Sequence, residues 1–208
     1  MTNGLSLVLR TGLALALGVC STPAPSAAPA APLAIGTARV TIAGTSNVHD
    51  YTASTTTVRV TRAQLGAFAP GGDFLDNALK PGAVEAFEIA IPAATLKSPK
   101  DGLDKNMHAA LKASEHADIT FRLVRFEPRP APATGTRAIG VLRIAGVDRQ
   151  VTMDIVTERN GSALTVKGSL ALLMTDFGIT PPKALMGAIR TDPKVTITFE
   201  VALAANLT

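Results

Sequence analysis

The sequence predicts an all-β fold: eight antiparallel strands closed into a barrel, with one short α-helix capping an end. Three observations carry this. Apolar and polar residues alternate with period two in eight separate segments. Short turn sequences join several of these in succession, which makes neighbours antiparallel. A single segment has helical spacing instead.

The chain has 208 residues and begins with a stretch that does not belong to the fold. Arg10 precedes an apolar run from Thr11 to Cys20, and "STPAPSAAPAAPLA" follows. That order reads as a secretory signal over residues 1–30, cleaved after Ala28-Pro29-Ala30, with a linker at 31–37 and the folded domain over 38–208. The apolar run is too short to span a bilayer as a helix. The mature protein is therefore expected in the periplasm or outside the cell. Cys20 is the only cysteine and stands where a lipoprotein carries its lipid. Bulky Val19 just before it makes a lipid anchor the less favoured reading. One cysteine cannot form a disulfide within the chain.

The eight strands come in order. "ARVTIAG" puts Val40 and Ile42 on one face, and "TVRV" does so with Val58 and Val60. "VEAFEIAIP" aligns Phe87, Ile89 and Ile91; "DITFRLVRF" aligns Ile119, Phe121 and Leu123. "IGVLRIAG" aligns Leu142 and Ile144; "QVTMDIVTE" aligns Val151, Met153 and Ile155. "ALTVKGSLALLM" and "KVTITFEVAL" supply two more apolar faces, the second with Ile197 and Phe199. "AGVDRQ" and "ERNGSA" are tight-turn sequences. Strands that are apolar on one face need a second layer or closure on themselves, and eight of them close well.

One segment, "SPKDGLDKNMHAALKASEH", places Leu103, Met107 and Leu111 on one helical face. Asp101 and Asp104 sit near its start and Lys112 near its end, as the helix dipole favours. Two long irregular stretches, 63–83 and 175–193, carry large apolar residues that pack over a core edge or line an entrance. The second holds Phe177, Ile179, Leu185 and Met186.

Composition and motifs narrow the function. The net charge is +4, but with one Tyr and no Trp there are few surfaces on which bases could stack. Nucleic acid is not an expected partner. Arg125, Arg129, Arg137, Arg143 and Arg149 alternate with apolar residues and read as solvated strand faces. No G-x-S-x-G motif or phosphate-binding loop occurs. His49, His108 and His116 could join Asp50 and Asp104 in a metal site, but only Asp104 and His108 have close spacing. An i, i+4 pair on a helix is more often a surface hydrogen bond or ion pair. His49 and Asp50 are neighbours on a strand and project to opposite faces, so they read as fixing a chain corner.

Four segments together resemble the YceI-like family of secreted, lipocalin-like domains: "GTSNVHDY", "DGLDKNMHAALKASEHADITFRL", "GVLRIAGVDRQVTMDI" and "MTDFGITPPKALMGAIRTDPKVTITFEV". They occur in that family's order across most of residues 38–203. The resemblance implies a lipocalin-like antiparallel barrel with an elongated apolar cavity for a polyisoprenoid or similar lipid. It implies no catalytic set.

The favoured expectation is an exported, non-enzymatic protein that holds an isoprenoid, isoprenoid quinone or fatty-acid derivative, with no other cofactor. Phe87, Phe121 and Phe199 belong to inward faces. Met107, Leu111, Phe177 and Leu185 are expected to border the cavity mouth. Transient membrane contact and a homodimer are compatible with this. The alternatives are a filled structural or interaction barrel and, less favoured, a metal-dependent enzyme using His49, His108 and His116. N-terminal sequencing of exported protein should find a chain that begins after the Ala/Pro-rich segment. A mature chain retaining Leu5–Leu17 would overturn the signal reading, and a lipidated Cys20 would replace it.

Overall fold

In a computed structural model the described residues are 33–66, 80, 82–130, 135–161 and 163–205. The expected signal and linker up to residue 32 lie outside them, as does most of the irregular 63–83 stretch. Nine strands form one antiparallel path: β1 (Leu33–Ser46), β2 (Asp50–Thr55), β3 (Arg59–Leu65), β4 (Val84–Pro92), β5 (Asp118–Pro128), β6 (Thr136–Ile144), β7 (Val147–Asn160), β8 (Ala163–Leu173) and β10 (Ile189–Ala205). A two-residue strand, β9 (Lys183–Ala184), pairs only with β10. One helix, α1 (Asp101–Ala110), stands between β4 and β5.

The strand order is β2-β1-β10-β8-β7-β6-β5-β4-β3. The sheet curls into a half-barrel, and β3 comes round to touch β1 without a ladder between them. This corrects the expected closed eight-stranded barrel. The extra strand is β2, whose sequence "DYTAST" has no apolar alternation. Its inward positions are Tyr51, Ala53 and Thr55, so the hydrophobic pattern that marks a strand is missing. The "TVRV" strand also shifts, beginning at Arg59 and running to Leu65. β10 starts five residues earlier than Lys194. Pro193 disguised that extension, because it sits at an irregularity where the β1 register moves from Gly44↔Val195 to Ser46↔Thr191.

The turns follow the sequence signals. Ala145 and Gly146 join β6 to β7 with φ of 49° and 81°, the left-handed pair that a two-residue hairpin demands. Asn160 pairs with Ala163 across the next hairpin. The arginines of β5 to β7 lie on the convex face beside acids: Arg125 with Glu127 at 2.6 Å, Arg137 with Asp154 at 3.3 Å and Arg143 with Asp148 at 2.5 Å. Such exposed pairs contribute little to stability.

The helix is fastened at one point. Asp104 and His108 were expected to pair with each other, but both grip the backbone of residues 96–98. The Ser98 amide donates to Asp104 Oδ1 at 2.6 Å, and His108 Nε2 donates to the Leu96 carbonyl at 2.9 Å. Lys97 Nζ stands 3.5 Å from Asp104 Oδ2. Lys97 in turn exchanges both backbone hydrogen bonds with Ser54, at 2.7 and 2.9 Å, and so covers part of β2's free edge. The pair turned inward because a buried backbone amide needs an acceptor more than a surface histidine needs a carboxylate.

Asp104 is buried, and its carboxyl is held below the ordinary carboxylate range. The hydrogen bond from Ser98 is the main cause, with the Lys97 charge helping against burial. The ionised form is favoured by folding, so its support is present above the ordinary carboxylate range and is lost as pH falls through the lowered value. Asp104→Ala should lower the melting temperature at neutral pH and speed hydrogen exchange at Ser98. The difference from wild type should shrink on acidification. An unchanged melting temperature at neutral pH would show that the clamp does not hold the helix.

Candidate functional site

The concave face of the sheet is almost entirely apolar, because alternation sends every second residue of each strand inward. This face is not fully packed. It encloses two spaces, one of about 290 Å³ beneath α1 and one of about 160 Å³ further down the sheet. Val40, Ile91, Leu142 and Ile197 line both. These four come from β1, β4, β6 and β10 and form a waist where the chambers meet.

The lower chamber has only apolar side chains around it. Phe87, Phe121 and Phe199 line it together with Phe126, Met153 and Val201. Two of the rings depend on glycines in neighbouring strands. A Cβ at Gly140 would run into the Phe121 ring, and one at Gly168 into the Phe199 ring. The glycines leave room for each ring to lie across the next strand, a known way of covering an exposed strand glycine.

The upper chamber is roofed by Leu103, Met107, Ala110 and Leu111 of the helical segment. Leu111 is buried and Met107 half-buried. Three exposed polar side chains on its wall, His49, Asn106 and Lys183, mark the mouth. Tyr51 also lines it, and its hydroxyl is held above the ordinary tyrosine range by burial and by the nearby Asp192 charge. Of the two β2 side chains that line this chamber, Tyr51 and Ala53, Tyr51 supplies a neutral phenol and Ala53 is apolar.

The remaining candidates are placed differently. Phe177 is 2 % exposed and packs in the hydrophobic core, lining neither chamber. It closes a 3-10 turn after β8 that packs against β7, β8 and β10. Leu185 belongs to a 3-10 turn over 185–187, and its side chain falls outside what the structure describes. The residues that alternation marked as inward but not as special are the four of the waist. Periodicity tells which face a residue takes, not its height along the barrel.

The three histidines do not meet. His108 holds Leu96, His116 packs beside Gly146, and His49 sits at the corner between β1 and β2. Among the described residues no group of three His, Cys, Asp or Glu side chains is placed to hold a metal ion. The corner itself is tied by residues other than His49 and Asp50. Ser46 Oγ donates to the His49 carbonyl at 2.8 Å and accepts from the His49 amide at 3.1 Å. Asn47 Nδ2 donates to the Ala188 carbonyl at 2.9 Å, and its Oδ1 accepts from the Arg190 amide at 2.7 Å. The His49 ring makes only a 3.4 Å approach to Ser46. The sequence clue pointed to the right corner and the wrong side chains.

Gly168→Val should push the Phe199 ring off its strand. The expected cost is about 1–3 kcal/mol, the range for overpacking a filled contact, read as a lower midpoint in urea. A variant as stable as wild type would mean that the ring has room elsewhere.

A family model described as "YceI-like domain" matches residues 39–203. Among solved structures, the chain is similar to BcnA of Burkholderia cenocepacia, with a TM-score of 0.60 and 16% identity over 81% of this chain and 96% of that one. It is also similar to a polyisoprenoid binding domain from Saccharophagus degradans, implicated in plant cell wall breakdown, with a TM-score of 0.58 and 11% identity over 84% and 99% of the two chains. At these identities the likeness is one of fold. Among curated proteins none matches the sequence. The family match covers the half-barrel and its helix from β1 to β10, and the chain belongs to the YceI-like domain family.

Proposed function

We propose that this protein is an exported lipid carrier or store that holds one apolar, chain-like lipid across both chambers. The carrying observation is the pair of spaces meeting at Val40, Ile91, Leu142 and Ile197, with no polar side chain around the lower one. Such a lining suits an isoprenoid, isoprenoid quinone or fatty-acid derivative and offers nothing to orient a sugar or nucleotide. The tail occupies the lower chamber, and any polar end lies above, near Tyr51, His49 and Lys183. Affinity comes from burying chain carbons, about 0.8 kcal/mol per methylene at most. The similarity to a domain described as polyisoprenoid-binding supports the same reading. Phe87, Phe121 and Phe199 contact the tail, while Met107 and Leu111 contact the part nearer the mouth. Met suits that place because its side chain adapts to irregular ligands.

Lipid extraction with mass spectrometry tests this on two variants. Ile197→Phe narrows the waist and should shorten the longest chain that co-purifies. Met107→Glu puts a charge in the roof of the upper chamber; the strands should stay folded by circular dichroism, with most of the lipid lost. Full retention of the same lipid by both folded variants would exclude the two-chamber path. Protein that never carries lipid, natively or after mixing with it, would exclude the function.

A further inference from the structure

We infer that the hairpin 183–190, together with the corner 46–49, docks the cavity mouth on an anionic phospholipid bilayer. This rests on the lipid-binding reading and says where the lipid crosses into the protein. Both segments form the rim, since Ser46 and His49 of the corner and Lys183 and Ile189 of the hairpin line the upper chamber. They act as one unit because Asn47 is bonded to Ala188 and Arg190 at 2.7–3.1 Å.

At the tip of the hairpin stands Met186, which is fully exposed and has φ 55° and ψ 27°. A left-handed conformation is uncommon for a non-glycine residue, and Asn or Gly takes it more readily. The side chain buries nothing in the protein, so neither packing nor backbone preference accounts for a large apolar residue there. Val48, at the neighbouring corner, is 62 % exposed. Two apolar side chains thus project from adjacent tips, as expected of a wedge that enters the headgroup layer.

The charge behind the tips has the matching sign. Lys183 and Arg190 are directly opposed in the β9–β10 pair, an arrangement that like charges disfavour unless an anion lies between or beside them. Neither forms an ion pair among the described residues. Arg190 Nε donates to the Gly187 carbonyl at 3.2 Å, which anchors the guanidinium at the hairpin. The acids nearest in sequence, Asp50 and Asp192, line a groove on the outside of the sheet with Lys194. Lipid phosphates are the anions that would meet both cations while Met186 and Val48 enter between the headgroups.

Co-sedimentation of the native protein with vesicles of phosphatidylcholine, with and without phosphatidylglycerol, tests this beside lipid extraction from the same preparations. Wild type should bind the anionic vesicles more tightly, and high salt should weaken the binding. Removing each cation, in Lys183→Gln and Arg190→Gln, should cost about fivefold in partition, the usual share of one basic residue near an anionic surface. Met186→Asn suits the left-handed backbone and should keep the fold, with about tenfold weaker binding from the lost apolar contact. Arg190→Gln and Met186→Asn, whose side chains line neither chamber, should carry the same internal lipid load as wild type. Equal vesicle binding by wild type and variants overturns the docking surface while leaving the cavity reading to its own test. So does loss of internal lipid with unchanged vesicle binding, which would assign the cations to the headgroup of the bound lipid. Vesicle binding that follows these residues in protein that never carries lipid would keep the surface and remove the cavity reading.

Discussion

The backbone ladder carries a concave face that is apolar without being filled. Leaving space among aliphatic side chains forfeits the dispersion contacts a packed core would have, and unfilled volume is destabilising in proportion to its size. The stability must come from elsewhere. β10 has β1 along one side and β8 along the other, so the longest strand is bonded on both edges over most of its length. Buried residues gather around the upper chamber, where Leu96, Ile179 and Met174 line the space and Phe177 belongs to the same packed cluster.

The helix roof illustrates how few bonds such a plan needs. Asp104 and His108 are one turn apart, and both hold the strip 96–98, while the strip pairs with β2 through Ser54. Thr55 and Thr95 add a hydroxyl contact at 2.8 Å beside it. The roof is therefore fastened to the edge strand by a short polar seam, while its underside rests on apolar side chains. Polar bonds fix position here, and apolar contact leaves the underside adaptable.

Much of this was legible in the sequence because alternation is a local signal. Phe87, Phe121 and Phe199 could be assigned to the inward face from their neighbours alone. β2 was not legible, since Tyr51, Ala53 and Thr55 turn inward without a hydrophobic run. The early start of β10 was hidden by Pro193. Phe177 shows another limit: a large apolar residue in a loop can fill a core or border an opening, and only its partners in space decide which. The same holds for Asp104 and His108, whose spacing suggested a pair although each had a more demanding partner in the backbone. The two chambers were beyond reach altogether, because height along a barrel depends on register between strands.

The waist has a consequence for time as well as fit. A lipid that reaches only the upper chamber would leave by retracing one short step. One that has passed Val40, Ile91, Leu142 and Ile197 must withdraw its tail between four branched side chains from four different strands. Those side chains stand on hydrogen-bonded strands, so release of such a chain would wait on their coordinated movement. In the proposed carrier, dwell time would therefore grow abruptly once a chain is long enough to cross. Selection of this kind would work through the off-rate, with a chain that crosses the waist held longer than one that stops above it.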